Sequence, residues 1–284
     1  MEKLRLLIPK GRIMESVLAL LRDAGIHARV SERSYRPQID VDWLDVKIMK
    51  PQNIGELLEL GSHDAGFTGL DWLQETHADV AEIMGLGFDP VNIVAAVPAG
   101  ISDEELRSKT LVVATEYVNI ASRWLISRGY KYRIVRTYGA TEVFPPDDAD
   151  MIIDNSSTGQ TLKDNGLLIV DTILKSSTLF AASRAAMADP KKTALIERLT
   201  MLFKSVLDAR GRVMLEMNAG EENFTELVRI LPCMRSPTVS RLYGENGYAV
   251  KVAVPRKDIP DLIPKLKLAG AVDIVEYELK KVII

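Results

Sequence analysis

The chain has 284 residues, 47% hydrophobic and 26% charged, a balance that excludes a disordered or fibrous protein and suits two domains with room for a small third. With 36 Lys and Arg against 39 Asp and Glu the formal charge is −3, so no global positive field draws nucleic acid or an anionic membrane, and a polyanion must be held locally. The single cysteine, Cys233, excludes an internal disulfide and a multi-cysteine metal site; it reads as a small packing residue in a reducing compartment. The apolar run before Pro9 is too short for a signal peptide, and no stretch reaches the roughly 18 uninterrupted apolar residues of a membrane span, so a cytoplasmic protein is expected.

Leu4 to Ile8 is a compact apolar run ended by Pro9, after which Ile13, Val17, Leu20, Leu21 and Ala24 recur at helical spacing until Gly25: a strand, a basic loop and a helix. Val46 to Met49 predicts a strand, Ile54 to Leu60 a helix, and Ala65 to Thr68 a strand entering Gly69. Val91 to Val97 is nearly all apolar, the pattern of a strand covered on both faces, and Pro98 to Gly100 marks a domain crossing. Leu111 to Ala114, Tyr132 to Val135 and Met151 to Ile153 predict strands, with helices at Ala121 to Ser127 and Thr161 to Asn165. The alternation argues for parallel α/β layers, which bind ligands at the carboxyl ends of their strands. A long helical pattern from Leu195 through Leu207 ends at Gly211. Beyond it, Val213–Met217, Phe224–Ile230, Thr238–Tyr243, Tyr248–Val254, Ile259–Ala269 and Val272–Leu279 follow the order βαββαβ of a split-βαβ or ferredoxin-like module.

Three segments carry candidate chemistry. Pro9-Lys10-Gly11-Arg12 sets two cations and a glycine between a strand and a helix N-terminus, a place for an anion or simply a solvated turn. Asp64 through Asp71 brackets a strand end with Gly66 and Gly69, allowing close approach of a ligand or an ordinary tight turn, and Lys50 adds a charge to the same crevice or a surface lysine. From Glu142 to Leu162, a strand ends in Asp154 and a loop follows with Ser156, Ser157, Thr158, Gly159, Gln160 and Thr161, whose hydroxyls and amides can cradle a phosphate or merely cap a helix. Glu142, Asp147, Asp148, Asp150 and Asp154 put five carboxylates beside that loop with no base among them. A polyphosphate would be repelled there unless a divalent cation lay between, and Mg²⁺ is the ion usually held by one or two carboxylates plus substrate phosphates. His27, His63 and His77 have no metal-ligand spacing, and no Walker loop or Rossmann fingerprint is present.

In their joint order, Pro9 to Arg12, Asp64 to Asp71, Ala114-Thr115-Glu116-Tyr117 with Asn119, and Asp154 to Leu162 resemble the ATP phosphoribosyltransferase family. Leu231-Pro232, Ser236-Pro237-Thr238 and Leu268 to Ala271 followed by Asp273-Ile274 resemble the regulatory domain of its long form. The resemblance implies two periplasmic-binding-protein-like (type II) α/β domains around a catalytic cleft and a ferredoxin-like (ACT-like) regulatory domain. The divisions are residues 1–97 completed by about 184–210, then 98–183, then 211–284. It implies transfer of phosphoribose from phosphoribosyl pyrophosphate to N1 of the adenine of ATP, releasing pyrophosphate, with Mg²⁺ as cofactor, L-histidine as feedback inhibitor, and a homo-oligomer exchanging between dimer and hexamer. By matching positions, Ser157, Thr158, Gly159, Gln160 and Thr161 hold the 5-phosphate, and Asp154 and Glu142 serve the ribose or its metal. Lys10, Arg12, Lys50, Gly69 and Asp71 meet the substrates, and Asn218, Ser236, Thr238 and Ala271 meet the inhibitor. Three departures stand out: a segment one residue shorter between Glu142 and Asp154, Asn155-Ser156 in place of an apolar pair, and Val118 in place of a proline. Two rivals explain the same cleft, a non-catalytic ligand-binding protein and a catalytically silent regulatory subunit; the acid-rich hydroxyl loop argues against both.

Overall fold

The computed structural model describes residues 3–31, 34–232, 234 and 236–283; Cys233 lies outside the described residues. Two compact units are formed, one by residues 1–19 and 27–197 and the other by residues 20–26 and 198–284.

The first unit opens with β1 (Leu4–Pro9), α1 (Arg12–Ala24), the short pair β2 (Ala28–Arg29) and β3 (Gln38–Ile39), β4 (Leu44–Met49), α2 (Pro51–Glu59), β5 (Ala65–Gly69), α3 (Leu70–Thr76) and β6 (Val80–Gly85). It continues with β7 (Val91–Pro98), α4 (Asp103–Ser108), β8 (Leu111–Thr115), α5 (Val118–Arg128), β9 (Tyr132–Arg136), a 3-10 turn at Thr141–Val143, β10 (Met151–Ser156), α6 (Gln160–Asp164), β11 (Leu167–Ser176), β12 (Thr178–Ser183), α7 (Arg184–Ala188) and α8 (Pro190–Arg210). The last helix carries the chain into the second unit.

Two five-stranded sheets result, ordered β4-β1-β5-β12-β6 and β11-β7-β10-β8-β9. Neither is all parallel, as the alternation predicted. In the first, β4, β1 and β5 are parallel and β12 runs against β5 and β6; in the second, β9, β8 and β10 are parallel and β7 runs against β10 and β11. The antiparallel members are those next to the crossings between sheets, where the strand enters from the other layer instead of returning through a helix. The same crossings correct the expected partition: Val91–Pro98 pairs in the second sheet although residues to 97 were assigned to the first, and Thr178–Ser183 pairs in the first although residues to 183 were assigned to the second. Both strands are buried along most of their length, as central strands covered on both faces must be.

The second unit contains β13 (Arg212–Gly220), α9 (Phe224–Ile230), β14 (Thr238–Arg241), β15 (Gly247–Pro255), α10 (Ile259–Leu268) and β16 (Ala271–Glu278), the βαββαβ order expected, in an antiparallel sheet ordered β14-β15-β13-β16. Residues 213, 215, 217 and 219 of β13 are buried and alternate with half-exposed neighbours, so one face of the sheet packs with Leu227 and Leu266 of its helices into a core. No helix among the described residues is long and apolar enough to cross a membrane.

Candidate functional site

The parallel strands of both sheets of the first unit deliver their carboxyl ends to one cleft. The chain leaves β1 into Lys10 and Gly11, β4 into Lys50 to Asn53, β5 into α3, which carries Trp72, and β8 and β9 into Glu116 and Arg136 to Tyr138; these line a cavity of about 470 Å³. Three cations and two aromatic rings converge there around a single half-buried acid, Glu116. Gln52 Oε1 also lies there, buried and without a hydrogen-bond partner among the described residues. Lys10 and Lys50 occupy the cavity as the sequence predicts. Arg12 turns elsewhere, pairing with Asp89 at 3.1 Å, so the basic loop contributes one cation to the cleft and spends the other on the fold.

Gly69 and Asp71 are corrected more deeply. Asp71 is 4% exposed, and both its oxygens are taken: Ser176 Oγ donates to Oδ1 at 2.6 Å and Tyr117 Oη donates to Oδ2 at 2.8 Å. Ser176 closes β11 and Tyr117 follows β8, so this buried carboxylate ties the first sheet to the second, with a donor on each oxygen. Gly69 serves the same tie. A Cβ there would stand 2.1 Å from Asp71 Oδ1, so only glycine lets the carboxylate fold back over the end of β5. Beside it Trp72 stacks on Tyr117 with ring centroids 4.6 Å apart. Glu75, one turn on, accepts from the backbone amides of Asn119 and Ile120 at 2.9 Å and so caps α5 from the opposite sheet.

Asp154 presents the contrary case. It stands past the last strand pairing of β10 with β8, half-buried, and accepts from the Thr141 hydroxyl and from the Asn155 amide at 2.7 Å. Loss of hydration, reinforced by Glu116 and Glu142, outweighs those bonds and pushes its carboxyl up to about 6. Thr141 Oγ1 in turn meets Thr137 Oγ1 at 2.9 Å, which links this acid to the wall of the cleft.

The expected five-acid cluster is not assembled. Asp150 precedes β10, where it accepts from the Val112 amide at 2.8 Å and pairs with Lys109 at 2.7 Å. Four residues of extended chain, about 13 Å, separate it from Asp154. Asp147 and Asp148 are exposed in the preceding turn. Among the described residues no group of three or more His, Cys, Asp or Glu is placed to hold a metal ion by itself. What remains is Asp154 with Glu142 and Glu116, an excess of negative charge with no cation bonded to Asp154 among the described residues, which suits a divalent ion that brings substrate oxygens to complete its shell.

The hydroxyl loop is built as a tight turn. Strand β10 runs on to Ser156, two residues past the predicted end at Asp154, and Ser156 Oγ accepts from the Gly159 amide at 3.0 Å. Gly159 has φ +76°, the left-handed conformation that favours glycine, at the start of α6. Ser157, Thr158, Gln160 and Thr161 are exposed around it.

In the second unit Ser236 and Thr238 line a cavity of about 510 Å³ with Met214, Lys251 and Ala253. Asn218 does not join them; its side-chain amide donates to Asp273 at 3.0 Å, and Ala271 is buried in the strand pair beside it.

Arg136, Trp72, Tyr138 and Gln52 were missed by the sequence reasoning. Arg136 and Tyr138 had a signal, since they follow a predicted strand at its carboxyl end. Trp72 and Gln52 carried no such signal.

Comparison with known proteins adds an independent finding. A family model described as ATP phosphoribosyltransferase matches residues 50–205, and one described as the HisG C-terminal domain matches residues 209–281. Proteins named ATP phosphoribosyltransferase from Chlorobium phaeobacteroides and Pelodictyon phaeoclathratiforme are each 41% identical over 288 aligned residues, covering 99% of this chain and 97% of theirs. One from Thermodesulfovibrio yellowstonii is 39% identical, covering 99% and 98%. Among solved structures, a chain of the ATP phosphoribosyl transferase (HisG:HisZ) complex from Thermotoga maritima matches with a TM-score of 0.63 and 26% identity, covering 71% of this chain and 98% of that one. The chain described here belongs to the ATP phosphoribosyltransferase family.

Proposed function

We propose that the cleft of the first unit joins ATP to phosphoribosyl pyrophosphate, giving phosphoribosyl-ATP and pyrophosphate in the first step of histidine biosynthesis. The observation that carries this reading is the meeting of Lys10, Lys50 and Arg136 with Trp72 and Tyr138 at the strand carboxyl ends, next to Asp154 and its hydroxyl loop. Aromatic faces suit a purine, cations suit its phosphates, and an under-solvated acid suits a sugar whose C1 gains positive charge as its leaving group departs. Asp154 holds the ribose side, and the loop from Ser157 to Thr161 grips the 5-phosphate through hydroxyls and backbone amides. Lys10, Lys50 and Arg136 orient the nucleotide and neutralise phosphate oxygens. The work of these residues is alignment and charge stabilisation, which needs no strong general base. Asp154 and Glu142 would hold Mg²⁺, which supplies neutralisation of pyrophosphate charge when bound.

The finer architecture belongs to the same proposal. The two sheets serve as type II periplasmic-binding-protein-like halves, roughly 1–97 with 184–210 and 98–183 once β7 and β12 are exchanged. Residues 211–284 serve as an ACT-like domain that takes L-histidine near Asn218, Ser236, Thr238 and Ala271 of neighbouring copies in a dimer or hexamer. Incubation of the pure protein with ATP, phosphoribosyl pyrophosphate and Mg²⁺, followed by the ultraviolet absorbance of phosphoribosyl-ATP with and without histidine, tests the reading. Product that histidine suppresses is expected; no product under any condition refutes the enzyme.

A further inference from the structure

Between the buried tie at Asp71 and the desolvated, charge-crowded acid at Asp154 lies one side chain, Asn155. Its Nδ2 is 3.2 Å from Tyr117 Oη and 3.1 Å from Asp154 Oδ1. Tyr117 is 1% exposed, its single proton is committed to Asp71 at 2.8 Å, and burial beside that carboxylate raises its pKa so that the phenol stays protonated. The phenol oxygen can therefore only accept from Asn155. That requirement settles which end of the Asn155 amide faces inward: the NH₂ group, not the carbonyl, must point to Tyr117, and its second hydrogen is then directed at Asp154. Asp71 is in turn held by Ser176, so the row Ser176, Asp71, Tyr117, Asn155, Asp154 is continuous from the buried tie to the cleft acid, with a donor-acceptor sense at every step.

We infer that Asn155 is a positioning residue, which transmits the fixed geometry of the Asp71–Tyr117 tie to the Asp154 carboxylate and so sets the hold on phosphoribosyl pyrophosphate. The inference rests on the reading of Asp154 as the ribose-side acid. A carboxylate at a strand end has several rotamers of similar energy; two donors from one neighbour, the Asn155 amide and its side chain, converge on a single oxygen, Oδ1, and so fix the orientation of the group. An apolar side chain at 155 would keep the backbone donor and lose the one that depends on Tyr117.

The test compares Asn155→Leu, Tyr117→Phe, the double variant and Asp154→Ala in steady-state kinetics with ATP and phosphoribosyl pyrophosphate varied separately. Asn155→Leu is isosteric and at an exposed position, and is expected to raise KM for phosphoribosyl pyrophosphate about tenfold, the worth of one hydrogen bond to a charged group, while KM for ATP changes less than about twofold. Tyr117→Phe keeps the ring stacked on Trp72 and is expected to give the same selective rise, and the double variant no more than either alone. An unchanged KM for phosphoribosyl pyrophosphate, an equal rise for both substrates, or additive single effects would overturn the inference. Asp154→Ala separates the two levels: if it is inactive while Asn155→Leu is normal, only the positioning role falls; if it is fully active, the reading beneath falls and the inference with it.

Discussion

Asp71 and Asp154 sit at the carboxyl ends of strands in opposite sheets, close enough to share a hydrogen-bond row, and they have opposite electrostatic lives. Asp71 is almost fully buried with a donor on each oxygen. Asp154 is half-buried, crowded by Glu116 and Glu142, and held well above the ordinary carboxylate range. A buried carboxylate bonded to two hydroxyls of the core is part of the fold, whereas one that is desolvated beside other carboxylates at a cleft is available to a ligand. Both were candidate substrate contacts by sequence, and burial and the charge of their neighbours separate them.

Four substitutions would break or sharpen this contrast. The largest effect is expected for Asp154→Ala, which should lower kcat/KM more than about a hundredfold while the melting temperature stays level or rises, because a desolvated charge beside two other carboxylates is removed. Asp71→Ala should do the reverse in kind, costing about 3 kcal/mol in denaturant unfolding, since it strands the hydroxyls of Tyr117 and Ser176 in the core. Arg136→Ala is expected to raise KM for ATP about tenfold with little change for phosphoribosyl pyrophosphate, through loss of a cation at the nucleotide wall.

The smallest effect is a pH signature. The folded state raises the Asp154 carboxyl from its ordinary 3.8 to about 6, so the fold binds this proton more tightly than the unfolded chain does. The stability that this confers is complete below about pH 4 and is lost as pH rises through about 6. Asp154→Asn should therefore match wild type in thermal melts near pH 4 and exceed it above pH 6, and a constant difference across that range would show that Asp154 is not electrostatically strained.

Much of the fold was legible because its signals are local. Phe224–Ile230 matches its predicted limits, and most other predicted helices and strands fall within a few residues of theirs. Sheet membership was not legible: Val91–Val97 reads as a central strand from its apolar run, but nothing in a run says which layer it joins, and Thr178–Ser183 was not predicted at all. Strand β11 was overlooked because Asp171, Thr172 and Lys175 interrupt its apolar residues. In the site, Lys10, Lys50, Asp154 and the hydroxyl loop stand at strand ends that periodicity marks. The diversion of Arg12 to Asp89, of Asp150 to Lys109 and of Asp71 to Tyr117 depends on partners 41 to 77 residues away, which no spacing within a motif reveals.

The most direct measurement is phosphoribosyl-ATP formation by wild type and by Asp154→Ala at equal folded concentration, with Asp71→Ala carried through the same assay and melted alongside. Product from wild type, none above background from a well-folded Asp154→Ala, and, at saturating phosphoribosyl pyrophosphate, activity proportional to folded protein in Asp71→Ala are expected. Full activity in Asp154→Ala, or a stable Asp71→Ala that has lost catalysis even at saturating phosphoribosyl pyrophosphate, would contradict the division between an acid that serves the reaction and an acid that serves the fold.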